Sequence, residues 1–162
     1  MDINGLQHIA APRERVWDAL NDPDVLQRCV PGCESVEKLP DGAFRIVVAT
    51  AIGPLRARFN GLLTMADAQP PQSCAIVFEG QGGPVGFGKG TTTVVLDETA
   101  AGTELRYDAA VQIGGKLAQV GSRLIDGVAK KLSDAFFNAL REELDAAHAE
   151  TPGGQLPLPP PA

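Results

Sequence analysis

Between residues 34 and 112 the apolar side chains return at every second position, and between 115 and 148 at every third or fourth. A period of two belongs to strands with one covered face, and a period near 3.6 to a helix with one covered stripe. Laying the helix on the sheet is the economical way to hide both. The clearest strand is "LRARFNGLLTM", where Leu55, Ala57, Phe59, Gly61, Leu63 and Met65 share one face and Arg56, Arg58 and Asn60 the other. "SCAIVFEG" puts Cys74, Ile76 and Phe78 opposite Glu79, and "TELRYDAAVQI" sets Leu105, Tyr107, Ala109 and Val111 against Glu104, Arg106, Asp108 and Gln112. Short turns ("PDG", "GP", "TAAG") between such segments predict an antiparallel meander with one solvated face.

Ahead of the meander, Ile3, Leu6 and Ile9 mark a short strand. Pro12 then opens "PRERVWDALN" as the first helical residue, and Asp22 with Pro23 opens a second short helix that Pro31-Gly32 stops. The expected order is strand, two short helices, six strands, one long helix. This is an α+β chain whose curved seven-stranded antiparallel sheet grips the helix, with the short helices plugging one end. The domain is expected over residues 1–149. Residues 150–162 end in "TPGGQLPLPPPA", whose five prolines predict an extended, flexible tail.

Composition narrows the function. A net charge of -6 and a pI near 4.8 exclude a general nucleic-acid binder, which needs a basic footprint. The same charge argues against an electrostatic membrane anchor. No apolar run approaches the length of a membrane span, and "MDINGLQHIAAPRERVW" lacks the apolar region of a secretion signal. A cytoplasmic protein is expected, with Cys29, Cys33 and Cys74 as reduced thiols. "CVPGC" offers two thiols where a zinc site needs three or four ligands, so no metal is expected. No catalytic pattern of Ser-His-Asp or Cys-His type is present, and no catalytic residue is assigned.

The segment "GQGGPVGFGKG" spells a phosphate-binding loop, Gly83-x-x-x-x-Gly88-Lys89, up to its last letter. That letter should be Ser or Thr to hold magnesium, and it is Gly90. A phosphate loop also needs a helix after it, whereas "TTTVVL" has strand composition. The glycines are read as backbone geometry, a bend or close approach between two strands.

Four segments together, "CVPGCESVEKL", "IGPLRARFNG", "GQGGPVGFGKG" and "GGKLAQVGSRLIDGVAKKL", resemble the CoxG family, the G subunits of carbon monoxide dehydrogenase. That family belongs to the START-like, helix-grip superfamily, and the resemblance covers about residues 1–145. It implies an apolar cavity between sheet and helix and no cofactor, with a quinone or lipid as the bound molecule. It also implies an accessory role to a molybdenum hydroxylase of the carbon monoxide dehydrogenase type, with the inner face of the cell membrane as a further partner. An enzyme of the same superfamily, a cyclase or hydrolase acting on a hydrophobic substrate, is the alternative; a structural tether with a filled core is another.

The expected ligand wall comprises Trp17, Leu26 and Val30 near the short helices and Phe44, Ile46, Phe59, Leu63, Ile76, Phe78, Phe87 and Tyr107 from the strand region. Leu117, Val120, Leu124 and Val128 complete it from the long helix. Tyr107 could hold a carbonyl-bearing headgroup, or simply pack its ring. If residues 115–148 are one straight helix, Phe137, Leu140 and Leu144 fall opposite the stripe. They are then expected to form an exposed docking patch, extended by "PLPPP" at Pro157–Pro161.

Overall fold

The computed structural model describes residues 2–150, with side chains described through residue 145. Strand β1 (Asp2–Ile9) leads into helices α1 (Arg13–Leu20) and α2 (Pro23–Cys29). Six strands follow: β2 (Cys33–Lys38), β3 (Phe44–Ile52), β4 (Leu55–Gln69), β5 (Ser73–Gln81), β6 (Phe87–Thr99) and β7 (Gly102–Gly114). A 3-10 turn (Gly115–Val120) precedes the long helix α3 (Ser122–Glu150). All pairings are antiparallel, and the sheet runs β1-β7-β6-β5-β4-β3-β2. The expected helix-grip order holds, with small shifts at the ends. Pro12 is the residue before α1 rather than its first residue, and Asp22 caps α2 by accepting the Asp24 N–H at 2.9 Å. The tail expected at 150–162 lies, from residue 151 on, outside the described residues.

Alternation along β4 and β7 sends every second side chain inward. At one end of the sheet these inward residues meet α1, α2 and the C-terminal half of α3 in a buried cluster. It includes Ile9, Val16, Cys29, Leu96, Leu105, Phe137, Leu140 and Leu144. Thr103 donates its hydroxyl to the Ala11 carbonyl at 2.7 Å, so this buried polar group is satisfied as it ties β7 to the chain leaving β1. Three arginines add polar links at the same end. Arg28 forks onto Glu143 at 2.8 and 2.9 Å, Arg15 donates to the Leu144 carbonyl, and Arg141 donates to the His8 carbonyl and the Gln7 side chain.

The expectation of an exposed patch at Phe137, Leu140 and Leu144 is corrected. They are 8%, 0% and 6% exposed. The straight-helix premise fails at Gly121, whose φ of +98° ends the 3-10 turn and restarts the chain as α3. The helical phase is therefore set from residue 122. The inward stripe runs through Ile125, Leu132, Phe136, Phe137, Leu140 and Leu144, while Leu124, on the expected inner stripe, is 36% exposed.

This phase is testable by urea denaturation of two truncations. Leu140→Ala is expected to lower stability by about 2–5 kcal/mol through a core cavity, and Leu124→Ala by less than about 1 kcal/mol. Equal losses would restore the straight-helix stripe.

Candidate functional site

The concave face of the sheet changes character along its length. At the closed end Cys74, Val94, Leu96 and Leu105 are no more than 6% exposed. Two to six residues further along the same faces, Ile76, Phe78, Tyr107 and Val111 are only half-buried, as are Phe59 and Leu63 on β4. Paired glycines lie in the floor of this second half. A Cβ built at Gly88 would find no atom within 4 Å, and one at Gly80, its partner across β5 and β6, only the Gly88 carbonyl oxygen at 3.9 Å. Helix α3 covers the closed end tightly and leaves this end of the concave face unfilled.

Away from the strand ends, the inward positions from β3 to β7 carry Phe, Ile, Leu, Val, Ala, Met, Gly and Thr, with Cys74 and Tyr107 as the ionisable exceptions; Glu98, in the same phase at the end of β6, is paired with Arg13. Such a wall can hold an apolar body by burial. It offers no carboxylate, imidazole or amine for proton transfer.

The sequence-predicted wall residues divide into groups. Phe44, Ile46, Phe59, Leu63, Ile76, Phe78 and Tyr107 share the concave face, with Phe44 and Ile46 already buried. Trp17 packs on the buried cluster, Leu26 and Leu117 are buried, and Val30 ends α2 with its N–H on the Leu26 carbonyl. The Tyr107 ring stacks on Phe137 with centroids 5.4 Å apart and lies across Gly5, where a side chain would collide with it. Packing alone accounts for its position. Phe87 is a correction. It lies on the outer face with Lys89, whose Nζ is 6.0 Å from the ring centroid, because strand β6 begins at Phe87 and its phase places Gly88 inward. Val120, Leu124 and Val128 come together, lining an open groove with Arg123, Gly127 and Lys131 where the 3-10 turn passes into α3, and Leu124 lies over Gly53 of the β3–β4 turn. Val48, Thr50, Ile52 and Ile113 were missed, although the period of two continued from Ile46 and Val111 would have reached them.

The glycine-rich connection joins β5 to β6 through a 3-10 turn (Gly83–Val85) and continues directly into strand, so no helix N-terminus faces a phosphate. A Cβ at Gly90 would stand 2.0 Å from the Ala110 carbonyl oxygen, and one at Gly86, whose φ is +126°, 2.1 Å from that of Gly114. The Gly90 that removes the magnesium ligand is thus required by the approach of β7.

Comparison with known proteins agrees with this geometry. Residues 5–145 match the family model of CoxG, the G subunit of carbon monoxide dehydrogenase. No curated protein matches the chain. Among solved structures, a conserved protein from Geobacillus kaustophilus is 28% identical, with a TM-score of 0.85 over 91% of this chain and 97% of that one. A START superfamily protein from Mycobacterium smegmatis is 16% identical, with a TM-score of 0.68 over 90% and 98%. The ZhuI aromatase/cyclase from Streptomyces sp. R1128 is 18% identical, with a TM-score of 0.67 over 96% and 99%. The last two are similar in fold.

The thiols are set by burial. Desolvation pushes Cys29 up to about 11, with the Glu143 carboxylate adding to it, and burial also raises Cys74 and Cys33. At pH 8 a thiol with that value is only about one part in a thousand thiolate. The half-exposed Cys33 is therefore expected to alkylate first. Cys29 and Cys74 should react only after unfolding, and Cys29 also as the pH climbs toward its raised value of about 11, which mass mapping after timed iodoacetamide treatment will check.

Proposed function

Because the chain belongs to the CoxG family of carbon monoxide dehydrogenase, we propose that it is a non-catalytic accessory protein of a carbon monoxide dehydrogenase-type molybdenum hydroxylase. It binds a lipophilic molecule, a quinone or isoprenoid, against the concave face. The observation that carries this reading is the half-buried apolar wall of Phe59, Leu63, Ile76 and Phe78 around the empty floor at Gly88. Each methylene moved from water onto such a wall contributes about 0.8 kcal/mol, so a few isoprene units give useful affinity without a charged contact. The hydroxylase complex and the membrane are its partners, and sequestration is its mechanism. No helix among the described residues is long and apolar enough to cross a membrane, so the membrane partner is taken as a surface.

The likeness to an aromatase/cyclase favours a second reading, an enzyme of this fold acting on a hydrophobic substrate. The concave wall argues for the first. Its two ionisable groups are a ring stacked on Phe137 and the buried Cys74 thiol.

Native mass spectrometry followed by organic extraction is expected to find a stoichiometric quinone or other isoprenoid. A protein that is empty and also refuses added menaquinone and ubiquinone would overturn the reading. Gly88→Leu fills the unoccupied floor. It is expected to abolish retention of the extracted molecule while leaving the melting temperature unchanged or higher; unaltered retention would move the binding site elsewhere.

A further inference from the structure

The convex face of the central strands is not uniformly polar. Leu62 on β4 and Val77 on β5 are 42% and 45% exposed, and they are diagonal neighbours, because Leu62 pairs with Glu79 and Val77 with Thr64. Two cross-strand rows make up this part of the face. The first runs Leu62, Glu79, Lys89, Gln112 across β4, β5, β6 and β7. The second, two residues along each strand, runs Thr64, Val77, Thr91, Ala110. Every member of both rows is exposed.

Glu79 and Lys89 are register partners, so opposite charges stand side by side. Neither forms an ion pair among the described residues, and the Lys89 Nζ lies 6.0 Å from the centroid of the Phe87 ring. Lys89 and Gln112, with Gly90 and Ala110, line a shallow hollow on the same face. We propose that this face docks on the same face of a second copy of the chain, forming a two-fold dimer.

The order of the rows sets the symmetry. An axis parallel to the strands and between β5 and β6 lays each row, reversed, against itself. Glu79 then faces Lys89 of the second copy, and by symmetry this happens twice. Val77 faces Thr91, and Leu62 arrives at the hollow beside Gln112 and Ala110. Both charges left unpaired within one chain meet their opposites, and an exposed leucine meets a recess. Stacking two twisted sheets with their strands nearly aligned is a common arrangement.

A patch built for an acidic or a basic partner would carry one sign of charge. Here the two signs are equal and lie on either side of one line, as self-association requires. An ion pair covered by such a contact adds little over an apolar pair, whereas two like charges in its place cost far more. The charges therefore fix the register while Leu62 and Val77 supply the burial. Four strands about 4.8 Å apart make a narrow contact, so the dimer is reversible and forms at micromolar and higher concentrations. Both concave faces point away from it, and the proposal is independent of what they bind.

The test is sedimentation velocity of the full chain from micromolar to near-millimolar concentration. The mass is expected to rise from 17.0 kDa toward twice that value. Glu79→Lys alone, or Lys89→Glu alone, is expected to weaken association at least about tenfold. Both should keep the wild-type melting temperature, because the two side chains are exposed and unpaired. Mixed with each other, the two single variants are expected to associate, since a copy carrying two lysines faces one carrying two glutamates. The double reversal Glu79→Lys, Lys89→Glu should restore the homodimer, and Leu62→Ser should weaken it. A wild type that stays monomeric throughout, a dimer that Glu79→Lys leaves intact, or single variants that ignore each other would overturn the proposal. A monomeric wild type whose Glu79→Lys variant loses capture of the hydroxylase overturns it too, and gives the face to that protein.

Discussion

Everything else in this molecule depends on the contact between the second half of α3 and one end of the sheet. Phe137, Leu140 and Leu144 press onto the same cluster as Val94, Leu96 and Leu105, and α1 closes the end with Val16. Close-packed apolar contact supplies most of the stabilisation that a chain of this size needs. Concentrated at one end, it leaves the first half of the helix free of the duty of covering the sheet. The arginine links from Arg15, Arg28 and Arg141 all lie at this end. The exposed Arg28–Glu143 pair orients the helix more than it stabilises it.

The unfilled half follows from that division. The inner wall has the chemistry of a solvent for hydrocarbons, with apolar side chains, strand glycines at Gly61, Gly80 and Gly88, and almost no ionisable group. A site of this composition discriminates by size and shape, because it lacks hydrogen-bonding groups that would be left unpaired by a wrong ligand. Polar chemistry is placed outside, where Arg56 beside the β3–β4 turn and Arg123 and Lys131 at the start of α3 face water. Apolar interior and cationic rim thus share one half of the molecule, and the dry cluster holds the other.

How much of this was legible in the chain varies by element. The faces of β4, β5 and β7 were readable because alternation over seven or more residues leaves one phase, and Phe59, Leu63, Ile76, Phe78 and Tyr107 were placed on the correct face by it. Phe87 was not, since it stands at the junction of a glycine-rich turn and a strand, where no period precedes it. The long helix failed for a related reason. A stripe drawn through Leu117 and Val120 into residues 124–135 assumes unbroken geometry, and the positive φ at Gly121 interrupts it. A helical phase error of a single position moves a side chain by about 100°, enough to exchange Leu124 with Ile125 and to turn Phe137 from surface to core.

What the sequence alone determined was the order of elements, the antiparallel sheet, the face of most strands and the exclusion of a phosphate loop at residues 83–90. These are consequences of local period and of steric limits that act within a few residues. The family likewise could be read from four segments in order. Only the tertiary structure decided which side of α3 is buried, which half of the concave face stays open, and which side chains of four strands stand in one row on the convex face. Those properties arise where distant segments touch. Neither the period of a helix nor its composition specifies the rotation at which it lands on the sheet; the shape of the apolar cluster beneath it does.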